Sequence, residues 1–431
     1  MIPEIKQRIE QIQRGEVPEG YKKEKRYIIP VNWCQKKLSD LGIWVGGGTP
    51  AKSNQEYWEN GTIYWISSQD VKETILSKTT YKITEKALQE STTNLVPETT
   101  IIIVVRSGIL QHTLPVAKTK KPMAINQDIK ALILNDPTDI DYVINAIKSF
   151  DATILKEYTK KGTTVESLLF DAFSNFLIPY ALENERAKIA AILVAQDKII
   201  KLKEKLLAEK QRQKKYLMQQ LLTGKKRLPG FDGEWKIQPL WKISNKQKKK
   251  NSGFQYSLVL SNSAVHGIVS QDQEFDKEIA NEERIDGYYI VEPGAFVYNP
   301  RISVSAPCGP ININETGKTG IMSPLYTVFC ISSTEVSTKF LKYYFQSSCW
   351  YRYIKGVANY GARHDRISIS DGDFFNMPIA LPLKEEQIAI AEVLATADHE
   401  IDLLQKDIEQ EKQKKKALMQ LLLTGIVRVK T

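Results

Sequence analysis

ERAKIAAILVAQDKIIKLKEKLLAEKQRQKKYLMQQLLTGKKRL (residues 185–228) returns 201 residues later as EQIAIAEVLATADHEIDLLQKDIEQEKQKKKALMQLLLTGIVRV (residues 386–429). The two stretches align without a gap and agree at 18 of 44 positions, most densely at LMQ-x-LLTG. Self-similarity at a fixed offset sets architecture before any residue chemistry is considered. It predicts two similar halves, each a globular segment followed by a long helix.

Both copies carry a heptad seam. In the first, Ile189, Leu193, Gln196, Ile200, Lys203, Leu207, Lys210, Lys214, Leu217 and Leu221 follow alternating steps of four and three. In the second the same frame gives Ile390, Leu394, Ala397, Ile401, Leu404, Ile408, Glu411, Lys415, Leu418 and Leu422. That spacing is a coiled-coil seam. Each helix is expected to stop at Thr-Gly (Thr223-Gly224, Thr424-Gly425), where glycine supplies a left-handed cap. About 40 residues at a rise of about 1.5 Å give roughly 60 Å of helix, which must pack on something to be stable. Its own copy, running antiparallel, is the nearest candidate. The charged seam positions are expected to cost stability, to set register, or to leave room for another helix.

The net charge of +10 is unevenly placed. The first copy holds thirteen Lys or Arg against four acids; residues 385–431 hold seven against nine. The basic helix and its slightly acidic copy are thus suited to attract one another. A solvated lysine-rich face is the plain alternative, and basicity alone is compatible with nucleic acid without requiring it. Cys34, Cys308, Cys330 and Cys349 are widely separated, which argues against a disulfide framework or zinc site and for a reducing, cytoplasmic setting. The polar N-terminus does not read as a secretion signal, and no apolar run approaches the roughly 18 residues that a membrane span needs.

The predicted fold class is α+β. Two mixed α/β modules are separated by two long antiparallel coiled-coil helices, with an internal pseudo-twofold repeat. The expected segments are 1–29 (a partial repeat), 30–184 (module one), 185–228 (helix one), 229–383 (module two) and 384–431 (helix two). Trp33 with Leu38 and Trp235 with Leu240 mark the two module starts. Residues 9–20 loosely echo residues 218–230, as if the chain began with the tail of a further copy. The modules themselves resemble each other poorly, which suggests one job done on two targets.

Catalytic motifs are near misses. GGGTPAKS (residues 46–53) has Ala51 where a phosphate loop needs glycine. YNPR (residues 298–301) lacks the second proline and the aromatic of the motif that holds a flipped adenine, and no glycine-rich cofactor turn accompanies it. Asp232 lies too close to Glu234 and Lys236 to form a nuclease triad with them. His112, His266, His364 and His399 lack metal-ligand spacing. Polar clusters suited to DNA do exist: Ser67, Ser68 and Gln69; Arg106 and Ser107; Asn126 and Gln127; Asn299, Arg301 and Ser303; Asn359, Arg363 and Arg366. Arginine can fork onto guanine, and asparagine or glutamine onto adenine. Turn chemistry and local ion pairs are the competing explanation for each.

Together the duplicated LMQQLLTG/LMQLLLTG coils, LPGFDGEW (residues 228–235), GGTPAKSNQEYW with IYWISSQDV, and EPGAFVYNPRISVSAPCGP with SPLYTVF resemble the specificity (S) subunit family of type I restriction–modification systems. The resemblance covers essentially the whole chain. It implies that each module is a target-recognition domain binding one half of a bipartite site in double-stranded DNA. It implies that the coil spaces the two domains and docks two methyltransferase (M) subunits, and through them restriction (R) subunits. It further implies that this chain is not itself an enzyme and holds no cofactor or metal. S-adenosylmethionine would belong to M, and ATP with Mg to R. A coiled-coil scaffold that binds proteins without reading DNA is the rival expectation.

Overall fold

The computed structural model describes residues 3–160, 165–271, 282–360 and 365–430. The chain divides into two compact units, Met1–Glu204 with Asp407–Thr431, and Lys205–Lys406. The long helices, Glu183–Leu221 and Lys384–Leu423, are each cut by that division, so each unit contains part of both.

The first unit is built on a five-stranded sheet in the order Gly42–Gly46, Ile129–Leu134, Ile101–Val104, Val116–Thr119, Ile75–Leu76. A four-stranded sheet lies beside it in the order Tyr81–Ile83, Ile63–Ile66, Met123–Ile125, Asn94–Val96. The apolar run at Ile101–Val104 is buried on both faces. Ile101 and Ile103 join the core shared with the helix Ile140–Ser149, whereas Ile102 and Val104 join the core holding Ile66, Val96 and Ile125. Side chains alternate across a strand, so an unbroken apolar run needs a cover on each side.

The second unit repeats this frame with different residues. Its main sheet runs Ser244–Lys246, Thr327–Ile331, Phe296–Tyr298, Ile311–Ile313, the same order as the first four strands above. Phe296 and Tyr298 enter one core while Val297 enters another. In the first unit Cys34–Lys37 pairs with Leu177–Tyr180, and in the second Lys236–Pro239 pairs with Pro378–Leu381. The modules that look unrelated as sequence therefore share a ladder. Register fixes only which face a residue takes, and many apolar side chains satisfy a buried face.

Within each unit the helix segments run antiparallel. In the first unit Gln196 Nε2 donates to Glu411 at 2.6 Å, Lys415 pairs with Asp197 at 2.6 Å, and Lys203 bonds Asp407 at 2.8 Å and Glu411 at 2.9 Å. In the second, Lys210 meets Glu400 at 2.7 Å and Lys214 meets Asp398 at 2.5 Å. Every charged seam position thus has a partner on the opposite helix, and these pairs specify register.

The apolar seam is deepest near the helix ends. Ile189, Leu193 and Leu422 sit in the first unit's core, while Leu221, Ile390 and Leu394 sit in the second's. Ile200 and Ile408 are buried; Leu207, Leu217, Ile401, Leu404 and Leu418 are half-buried. The mid-helix seam therefore holds fewer buried apolar side chains than the ends, and charged pairs fill it around Ile200 and Ile408.

The N-terminal segment begins with the helix Pro3–Gln13 and a hairpin of Tyr21–Glu24 with Tyr27–Pro30. Arg8 donates to Ile426 O at 2.5 Å and the Tyr21 hydroxyl donates to Gly425 O at 2.7 Å. Gly425, at φ +73°, packs on Pro30 and Trp33, just as Gly224, at φ +68°, packs on Trp235. Among the described residues no helix is long and apolar enough to cross a membrane.

Candidate nucleic-acid interface

In the first unit Ile63–Ile66 and Met123–Ile125 pair in parallel, with Ile66 beside Ile125. Their ends therefore deliver the Ser67–Gln69 and Asn126–Gln127 clusters to one place, and Asn126 N donates to Ile66 O at 3.0 Å. Asp70 holds the first loop, accepting from Ser67 Oγ at 2.7 Å and from Thr80 Oγ at 2.7 Å. Burial pushes the Asp70 carboxyl up, but the bonds from Thr80 and Ser67 outweigh it and hold the group below its ordinary range.

The loops enclose an open cavity of about 560 Å³. Ser67, Ser68, Gln69, Asn126 and Gln127 line it, joined by Thr49, Lys52, Trp58, Trp65, Tyr81 and Asp128. Trp58 and Trp65 meet edge to face at 5.2 Å, and the Trp65 Nε1 donates to Gly48 O at 3.2 Å. Thr49 bonds Gln127 across the mouth. Arg106 stands at the neighbouring strand end, where Val105 N donates to Asp128 O at 2.8 Å. Burial raises the Asp128 carboxyl, and the Arg106 guanidinium partly offsets that rise. Exposed amides, an ammonium, a guanidinium and aromatic faces are the groups that contact base edges, phosphates and base planes.

In the second unit the bridge Arg301↔Arg366 joins two clusters that lie far apart in sequence. Ile302 N donates to Asp365 O at 3.0 Å and Ile367 N to Pro300 O at 2.9 Å. Asn359–Tyr360 pairs with Ile367–Ser368, which brings Asn359 to the same end. Arg363 lies outside the described residues.

The candidates divide by burial. Gln69, Arg106, Gln127, Arg301, Ser303, Asn359 and Arg366 are exposed; Ser68 and Ser107 are half-buried. Ser67, Asn126 and Asn299 are buried, and their polar atoms are engaged inside the fold. Asn126 Oδ1 accepts from Asp128 N at 3.1 Å; Asn299 Oδ1 accepts from Arg301 N at 3.0 Å, and its Nδ2 donates to Asn262 O at 3.0 Å. These three shape the loops that carry their neighbours. Ser303 is exposed yet also accepts from Ala306 N at 3.1 Å.

Sequence reasoning missed Lys52, Trp58 and Tyr81. The signal lies in GGTPAKSNQEYW, whose tryptophan follows the lysine by six residues. Among the described residues no group of three or more His, Cys, Asp or Glu is placed to hold a metal.

Residues 30–211 match the family model described as type I restriction modification DNA specificity domain. Over those residues the chain is similar to that family. The Escherichia coli type I restriction enzyme EcoR124I/EcoR124II specificity subunit is 41% identical over 163 residues, which are 38% of this chain and 40% of that subunit. The chain thus matches less than half of that relative's length. The type I restriction enzyme MjaVIII specificity subunit of Methanocaldococcus jannaschii is 25% identical over 439 residues, spanning 96% of this chain and 97% of that protein. The solved S subunit of a type I restriction-modification system from M. genitalium superposes at a TM-score of 0.51 with 14% identity, covering 93% of this chain and 98% of that one. At that identity the specificity-subunit likeness speaks to the fold alone.

Proposed function

We propose that this chain is the DNA specificity subunit of a type I restriction–modification complex. Each module reads one half of a bipartite site, and catalysis is left to partner subunits. The observation that carries this reading is the pair of matched ladders that set unlike polar neighbours around an equivalent arginine (Arg106, Arg301): Gln69 and Gln127 in one, Ser303 and Arg366 in the other. One scaffold with two edges is what two half-sites require, because base contacts specify while the frame only positions.

The helices are the candidate docking element for two M subunits, and through them for R. Ile192, Ala195, Ile199, Leu202 and Leu206 form a second heptad stripe on the first helix, and all five are exposed. The equivalent positions of the second helix are Val393, Thr396, Glu400, Leu403 and Asp407, which break the stripe. An exposed apolar stripe edged by Lys198, Lys201 and Lys205 suits an amphipathic partner helix with acidic flanks.

The test is co-expression with the neighbouring methyltransferase gene, followed by methylome sequencing. A two-part adenine motif that vanishes when this chain is deleted supports the reading. A methylome unchanged by the deletion refutes it and favours the scaffold.

A further inference from the structure

Aligned by hydrogen-bond register, residues 94–119 of the first unit correspond one for one with residues 289–314 of the second. The pairs Val116↔Ile103 and Ala117↔Ile102 match Ile311↔Tyr298 and Asn312↔Val297. Val104 N donates to Pro115 O at 3.1 Å, and Asn299 N donates to Pro310 O at 2.9 Å. One residue further on, Leu168 N donates to Val105 O at 2.7 Å, as Ile367 N does to Pro300 O at 2.9 Å. Ser107 N reaches Glu166 O, as Ile302 N reaches Asp365 O. The bridges Arg106↔Ser167 and Arg301↔Arg366 complete the match.

Along these 26 positions the chain repeats a residue only three times: Val96 with Val291, Arg106 with Arg301, and Pro115 with Pro310. The valines are buried and the prolines half-buried, so packing and chain direction account for them. The arginines are exposed, and the frame bonds around them are made by backbone groups that any residue offers. Among the described residues neither guanidinium makes an ion pair within 4.0 Å. Arg106 eases the burial of the neighbouring Asp128 carboxyl, but Leu325 holds that place in the second unit, so this interaction does not explain why both units carry the arginine.

We propose that Arg106 and Arg301 are equivalent phosphate clamps, each gripping the DNA backbone in its own module without reading a base. The proposal rests on the DNA-recognition reading above. Modules that read unlike half-sites must differ in the groups that touch base edges, and the surroundings do differ. Ser107-Gly108 stands against Ile302-Ser303, and Asp128 has Leu325 as its register equivalent. A group shared by both is suited to what both half-sites have in common, the phosphate. The guanidinium is always charged, and its planar fork matches phosphate oxygens. Phosphate contacts set register on the duplex and carry no sequence information.

The test uses the full chain and two duplexes, one recovered by selection from a random pool with the wild-type protein and one of scrambled sequence. Binding is measured across a range of KCl concentrations for Arg106→Ala, Arg301→Ala and the corresponding Arg→Lys variants. Each Ala variant should lose the same factor, about tenfold, on both duplexes and should flatten the salt slope by about one. The Lys variants should keep most of the slope. Thermal melting of the exposed-site variants should match the wild type. Two results overturn the clamp: an unchanged affinity, or a selected motif relaxed at a single position in one half, which would make that arginine a base reader. A wild type that selects no motif would instead sink the function reading, and the salt slope on scrambled DNA would still decide the clamp.

Discussion

Glu185, at the start of the first long helix, accepts both arms of the Arg428 guanidinium at 2.7 Å, and Arg428 lies beyond the end of the second helix. Trp33 Nε1 adds a third bond at 2.7 Å. The second unit repeats the pairing, with Arg227 forked onto Glu386 at 2.6 Å. Both carboxylates are almost wholly buried, at 2% and 1% side-chain exposure. Removing the arginine strands a buried charge, which costs roughly 3 kcal/mol. Arg428→Ala should therefore lower the urea midpoint of the first unit, and Arg227→Ala that of the second. Hydrogen exchange resolved by segment would show whether each loss stays within its own unit.

The two cap glycines should not respond equally. Both have positive φ, so alanine at either carries about 1–2 kcal/mol of backbone strain. A Cβ on Gly425 would also sit 2.6 Å from Pro30 Cδ, whereas on Gly224 the nearest atom is a Trp235 ring carbon at 3.4 Å. Gly425→Ala should depress the melting temperature more than Gly224→Ala, and equal shifts would contradict the packing described.

The mid-helix pairing has a pH signature. A hydrogen bond from Lys203, with another from Gln196, pulls the Glu411 carboxyl from its ordinary 4.5 down to about 2. A depressed carboxylate contributes stability that is complete above pH 4.5 and fades as pH falls toward 2. Unfolding midpoints followed through that window should fall more steeply for the wild type than for Glu411→Gln. The reversal Lys203→Glu should destabilise the first unit, and adding Glu411→Lys should restore it.

If the helices act as a ruler, their length should appear in the recognised DNA. Seven residues inserted after Lys214, matched by seven after Asp398 on the paired strand of the coil, add about 10 Å of helix. The spacer between half-sites should grow by about three base pairs at roughly 3.4 Å each. A spacer left unchanged in the methylome would rule the ruler out.

If the chain acts as proposed, exchanging residues 232–382 for the equivalent segment of a type I specificity subunit should alter one half of the recognised motif. An alteration in both halves would show that the modules do not read independently.

The helix repeat was legible because its period, its charge bias and its cap glycines all belong to the same residues. The kinship of the modules was not. Ile101 and Phe296, or Ile102 and Val297, occupy equivalent buried positions, and nothing in their identities announces the equivalence. The polar clusters stand out in the sequence, and the structure brings Ser67–Gln69 and Asn126–Gln127 to one cavity. Their individual roles were not readable, because an asparagine that closes a turn and one that faces solvent look alike in sequence. Only burial separates Asn126 from Gln127.

The first unit takes Met419, Leu422 and Leu423 into its core and ties Arg8 and Tyr21 to residues 425 and 426, although module one is translated first. The second unit is one uninterrupted stretch, Lys205–Lys406. Synthesis therefore completes the later module before the earlier one. The nascent first module must wait, with part of its apolar surface uncovered, until residues 419–426 leave the ribosome.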